Sequence, residues 1–247
     1  MGKNFNLIKK LLIFFSLFFN SNIFSETIDD ARNLFLDGEY LEAIELCGKI
    51  NSHESLILKA RILSIHAHFF KKKENARDTY LKAYGIAKKV IEENDNLSEA
   101  YVEAAHSLGR YGQEIGVLSA VTLGVADRVK IFLLKALKIE NNNIIANLSM
   151  GIWHAEIINK AGRITANWVY GATEKEARFF LNKTLKINDE QIGVLYETAY
   201  GFYLLGSAND MEISKTLIEK LILKKNYARL DDLYKLKAEK LLKKIGS

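Results

Sequence analysis

The chain has 247 residues, no proline, and Lys+Arg 35 against Asp+Glu 30, a formal net charge of +5. At an average usage of about 5%, roughly a dozen prolines would be expected, and their absence argues against turn-rich β-sandwiches and barrels and against Pro-rich linkers. With 49% hydrophobic and 26% charged residues the composition suits a globular protein, and a helix-dominated chain is what remains.

The first predicted element lies outside the fold. Lys3, Lys9 and Lys10 precede the apolar run Leu11 to Phe19, followed by polar Asn20 to Asn22 and a small residue at Ser25, before Glu26. A basic start, a short apolar run and a small residue at the cut make a secretory signal peptide over residues 1–25, which leaves residues 26–247 as the folded domain and predicts a periplasmic protein. Nine residues fall short of the roughly 20 that a spanning helix needs; an uncleaved N-terminal membrane anchor is the alternative. Loss of the three lysines leaves a nearly balanced chain, so neither nucleic acid nor an acidic membrane surface is expected as a partner. Cys47 is the sole cysteine; it excludes an intrachain disulfide and sits on an apolar helical stripe that predicts burial.

A repeat organises the remainder of the chain. The stretches VIEENDNLSEAYVEAAHSL from Val90, ALKIENNNIIANLSMGIWH from Ala136 and TLKINDEQIGVLYETAYGF from Thr184 align without gaps. Each ends one helix, crosses an Asn/Asp/Glu-rich turn that supplies caps, and starts another. The new helices share a small residue, Ala105, Gly151 and Ala199, with Ala60 and Ala31 continuing the series towards the N-terminus. Small residues on an apolar stripe let helix backbones approach closely, so stacked helix pairs are expected, about five in all. Ala43, Ala83, Val129 and Ala177 mark the second helices. From the second pair onward about a dozen residues are inserted between the partners, roughly Phe69 to Arg77, Gly112 to Asp127 and Ala161 to Lys175. The last two are apolar, with Val121, Leu123, Ile164, Trp168 and Val169 among them; they are expected to fold back and thicken the array.

The spacing of Ala31, Gly38, Tyr40 and Ala43 resembles a tetratricopeptide repeat. Met150 to Glu156, the insertion ending Tyr170-Gly171-Ala172-Thr173, and the following helix with Ala177 resemble a divergent tetratricopeptide family that includes exported bacterial proteins and the eukaryotic regulators of microtubule dynamics. A looser similarity connects the chain to the periplasmic tetratricopeptide component of TRAP transporters. The resemblance implies an all-α array of helical hairpins that binds other molecules without chemistry of its own. The chain departs from the family where Asn141 and Asp189 replace the usual proline after the second helix.

Motifs for chemistry are missing. No Gly-rich phosphate loop and no G-x-S-x-G elbow occur, and His53-Glu54 is followed by Ile57 where a zinc protease needs its second histidine. His66 and His68, two apart, fall on different helix faces. Paired carboxylates such as Glu92-Glu93 and Asp231-Asp232 sit at helix ends. No catalytic residue, cofactor or metal is therefore expected. Three residues after Gly151, His154 is expected near the concave side of the first-helix layer, with Trp153 and Glu156 beside it and Trp168 and Tyr170 returning over it from the insertion. That cluster reads either as a pocket for a peptide or small ligand or as core. The function expected is a periplasmic protein-binding adaptor; the alternative is a small-ligand-binding accessory of a TRAP-type solute transporter, with a closed cavity lined by Trp153, His154, Trp168 and Tyr170.

Overall fold

Small residues decide which helix faces meet in this chain, and the computed structural model shows where they bring the helices together. It describes residues 26–246, so the segment read as an export signal lies outside the described residues. Among these there are helices and no strands. In chain order they are α1 (Ile28–Asp37), α2 (Tyr40–Ile50), α3 (His53–Phe70), α4 (Lys73–Glu93), α5 (Ser98–Ile115), α6 (Val117–Thr122) and α7 (Val125–Ile139). They continue with α8 (Ile144–Ala161), α9 (Arg163–Thr165) running into a π-helical turn (Ala166–Tyr170), α10 (Glu174–Ile187), α11 (Ile192–Leu205), α12 (Ala208–Leu223) and α13 (Arg229–Ile245).

Five hairpins stack in order: α1/α2, α3/α4, α5/α7, α8/α10 and α11/α12. The first helix of each carries the small residue of the repeat, and Ala31, Ala60, Ala105, Gly151 and Ala199 are all buried. The second helices carry Ala43, Ala83, Val129 and Ala177, also buried. In the fifth hairpin the equivalent residue is Ser214, whose hydroxyl donates to the Ala199 carbonyl at 2.8 Å. A serine there matches a small residue in size, which is why the repeat is faint at that point.

The turns explain how the chain manages without proline. Gly38 adopts φ +90°, and the amides of Gly38 and Glu39 donate to Phe35 and Leu34 to close α1, a left-handed cap open to glycine because it has no Cβ. Asn143 caps α8 by accepting from the Ala146 amide at 2.9 Å. The Asn141 carbonyl is bound by Asn147 Nδ2 at 2.9 Å and by Lys183 Nζ at 2.7 Å. Asn188 Oδ1 takes the amides of Glu190 and Gln191. Side-chain hydrogen bonds do here what a fixed φ would do.

The insertions depart from expectation. They form α6 and the α9–π turn, but Val121, Leu123, Ile164, Trp168 and Val169 are all more than half exposed. Glycines with positive φ (Gly116, Gly124, Gly162 and Gly171) break the insertions into pieces of one or two turns. Such short pieces cannot lay an apolar stripe on the array; Val125, Ala166 and Ala172 are buried and Ile115, Ala120 and Tyr170 pack partly, but Val121, Leu123, Ile164, Trp168 and Val169 project. The array nevertheless closes: α13 packs on α11 and α12 and reaches back to α1, where Arg229 lies against Gly38. No helix among the described residues is long and apolar enough to cross a membrane.

Candidate functional site

The first helices of the hairpins, α3, α5, α8 and α11, share one concave face, and α13 closes one end of it with Leu230 and Tyr234. The result is an open groove of about 980 Å³. Helical geometry, at about 100° per residue, sets its lining. On α5 the residues Glu99, Glu103, His106, Arg110 and Gln113 follow one another at intervals of three and four and form one stripe. All five line the groove, as do Ser149, Ile152, Glu156 and Lys160 on α8 and Gly193, Glu197 and Tyr200 on α11. The repeat register makes this simple: in the four hairpins from α3 onward the residue immediately after the small one (Arg61, His106, Ile152, Tyr200) faces the groove, whereas Arg32, after Ala31, does not line it.

A polar ladder crosses the floor. Arg61 on α3 donates Nε–H to Glu103 Oε1 at 2.7 Å. Glu103 Oε2 faces His106 Nδ1 at 3.8 Å. Arg110 donates to His106 Nε2 at 3.4 Å, to Gln113 Oε1 at 3.3 Å and to Glu197 Oε1 of α11 at 3.2 Å, and Gln113 reaches Glu156 Oε1 of α8 at 3.4 Å. Glu103 is 1% exposed. Burial pushes its carboxyl up, but the Arg61 guanidinium, together with His106, more than offsets this and holds it below the usual carboxylate range, so it is a buried anion.

Beside the ladder the floor is apolar, with Ile145, Leu148 and Ile152, and the lip carries Val121 and Val169 from the insertions. Charge on the lining is lopsided. Six carboxylates (Glu99, Glu103, Asp127, Glu140, Glu156 and Glu197) stand against Arg61, Arg110 and Lys160. Each of these cations is already paired, with Glu103 and Glu99, with Glu197 and with Glu156. Among the described residues no cation lies in ion-pair range of Asp127 or Glu140.

Of the residues singled out from sequence, Trp153, Glu156 and Tyr170 line the groove, and His154 and Trp168 do not. Three residues from Gly151, a side chain lies within about 60° of it around the helix, on the packing face. Leu63, Leu108 and Phe202 hold the same register position and are core, and His154 is buried with them. Its Nδ1 accepts the Thr173 amide at 3.2 Å, and its ring stacks on Phe180 with centroids 6.1 Å apart. Burial, with Lys130 adding to it, pushes its pKa down to about 4. Trp153 donates to the Ala126 carbonyl at 2.9 Å and carries Lys130 Nζ over its ring at 4.9 Å; the same Nζ holds the Tyr170 carbonyl at 2.7 Å. Trp168 is 86% exposed because the π turn points it outward. Trp153, His154, Trp168 and Tyr170 thus do not enclose a cavity together. Among the described residues no group of three or more His, Cys, Asp or Glu could hold a metal ion.

One lysine of the C-terminal helix is not solvated. Lys237 of α13 lies over the Phe69 ring of α3 at 4.4 Å and touches His68, and burial together with Arg110 pushes it down to about 8.

No family model matches the chain, and no curated protein does. Among solved structures it is similar to TTC0263, a thermophilic TPR protein of Thermus thermophilus, with a TM-score of 0.62 and 14% identity, over 87% of this chain and 96% of that one. The fold is therefore that of a TPR-like helical repeat array. The finer resemblance, to the family with the regulators of microtubule dynamics and to the TRAP transporter component, rests on sequence alone, over roughly Ser98 to Gly206 with the helix of Gly151 and Trp153 its most specific part.

Proposed function

We propose that the protein is an exported interaction scaffold, acting in the periplasm after removal of residues 1–25, which holds an extended or helical segment of a partner protein in the groove of α3, α5, α8 and α11. The observation that carries this is the groove: about 980 Å³, open, and floored by side chains from four hairpins at equivalent register positions. A surface built by repetition presents regularly spaced contacts to a chain-like ligand. The apolar lip supports the same reading, since exposed apolar patches next to a concave surface mark interaction sites in proteins of this kind. Binding requires no catalytic step. Glu156 and Tyr170 serve as groove contacts and Trp153 as part of its floor, while Trp168 points away from the groove.

Selection of linear 12-residue peptides from a phage library against the full chain tests this. Ile152→Lys on the floor is expected to abolish binding of the recovered peptides, and Leu134→Lys, exposed on α7 and outside the groove, to leave it intact. Recovery of no peptide that depends on Ile152 would reject the reading.

A further inference from the structure

The groove is acidic on a chain that is nearly balanced once residues 1–25 are removed: carboxylates on the lining outnumber cations two to one. Glu103 is the sharpest feature. It is 1% exposed, its Oε1 is engaged by Arg61, and its Oε2 has no hydrogen-bond partner among the described residues. A buried carboxylate oxygen without a donor is costly, and His106 Nδ1 stands 3.8 Å from it. Glu99 lies one turn away on the same stripe and is reached by Arg61 only at 3.9 Å.

From this geometry we infer that the groove selects a cationic, apolar segment of its partner, with a lysine or arginine side chain docking on the Glu99/Glu103 edge and aliphatic side chains on Ile152 and the Val121/Val169 lip. The inference rests on the peptide-binding function proposed for the groove and specifies its ligand chemistry. An ammonium or guanidinium can pair with the exposed Glu99 carboxylate, drawn there by the buried Glu103 charge beneath it, and Asp127 and Glu140 extend the attraction along the wall. An anionic segment would meet the same carboxylates with no unpaired cation on the lining to receive it. The molecule already contains a precedent. Helix α13, whose Tyr234 forms part of the groove wall, carries Lys237 into the interior and lays it on the Phe69 ring, so a lysine-bearing amphipathic helix is accepted beside this surface by the chain itself.

The test uses three fluorescein-labelled 12-residue peptides of leucine alternating with lysine, with glutamine or with glutamate, titrated into the full chain and followed by anisotropy. The lysine peptide is expected to bind at least tenfold more tightly than the glutamine peptide, and the glutamate peptide to show no saturation. Glu103→Gln, which keeps an oxygen for Arg61, is expected to remove most of that tenfold preference. Because Glu103 is buried, the exposed pair Asp127→Asn/Glu140→Gln serves as a second variant with little risk to folding, expected to weaken lysine-peptide binding about threefold. Equal binding of lysine and glutamine peptides, or a preference untouched by either variant, overturns the inference and leaves groove binding standing. Absence of lysine-peptide binding at millimolar concentration also overturns it. The peptide-binding reading itself falls only if the phage selection returns nothing dependent on Ile152.

Discussion

Leu181 of α10 is seated so closely on Gly151 of α8 that a Cβ built on the glycine would lie 2.8 Å from Leu181 Cδ2 and 3.1 Å from the Leu181 backbone nitrogen. From the other side, a Cβ on Gly201 of α11 would come within 2.9 Å of the same Cδ2. One leucine thus locks two neighbouring hairpins, and the absence of side chains on two glycines makes the room.

Gly151→Ala is accordingly expected to destabilise the protein by about 1–3 kcal/mol, the usual scale of overpacking, despite the better helix propensity of alanine. Gly85 of α4 is the control, since a Cβ there meets nothing within 4 Å. Gly85→Ala should stabilise by ~0.5–1 kcal/mol. Urea denaturation of both variants checks this; a shift of the same sign in the two would show that the contact at Leu181 is not tight.

Arg178 grips Asp210 across two hairpins with Nε–Oδ1 at 2.8 Å and Nη2–Oδ2 at 2.6 Å. Asp210 is fully buried; burial pushes its carboxyl up, and Arg178 and Ser207 more than compensate and hold it below the usual range. Arg178→Met should cost about 3–5 kcal/mol at pH 7 by leaving a buried unpaired carboxylate. A folded pKa below the unfolded one gives stability that is present above the unfolded value and lost as pH falls through the folded one. The deficit of Arg178→Met should therefore shrink as Asp210 takes a proton below about pH 4, and a deficit independent of pH would contradict the pairing.

His154 makes a pH prediction of the same sign. Its folded pKa of about 4 lies below the ordinary 6.5, so the stability linked to its neutral ring is complete above about pH 6.5 and is lost as the pH falls towards 4, on the order of 2–3 kcal/mol. His154→Leu, which copies Leu63 and Leu108 at the same register, should be less stable at pH 7.5 because the Thr173 amide loses its acceptor. It should also lose less stability than the wild type between pH 6.5 and 4.5. Equal pH slopes in urea midpoint would refute the buried neutral assignment.

Trp168→Ser should change stability by no more than about 0.5 kcal/mol, as expected of an exposed position, and leave peptide binding in the groove unchanged, since Trp168 is not part of its lining. A large loss of stability would place Trp168 in the core after all.

The hairpins were legible because close helix contact constrains both size and spacing: Ala31, Ala60, Ala105, Gly151 and Ala199 could be read as a repeat without any knowledge of what they touch. The groove was harder to read. His154 follows the conspicuous Gly151 by three residues and so shares its packing face, whereas the groove lies roughly 80–160° further round the helix. The signal that would have found it is the residue just after each small one from Ala60 onward, together with the charged stripe Glu99, Glu103, His106, Arg110 and Gln113. In sequence such a stripe looks like any solvated helix face, and only the approach of α3 and α11 turns Glu103, Arg110 and Glu197 into a partly buried ladder. The insertions misled for a related reason. Apolar content signals burial only when the segment is long enough to present a face, and Gly116, Gly124, Gly162 and Gly171 prevent that.

Whether equivalent positions after the repeat's small residues form one binding surface is tested most directly by photo-cross-linking. A benzophenone amino acid is placed at Ile152 in the groove or at Leu134 on α7, and each protein is irradiated with a phage-selected peptide. A shared surface predicts a cross-link from position 152 that is competed by unlabelled peptide, and none from position 134. A cross-link from 134, or equal yields from both, would contradict it.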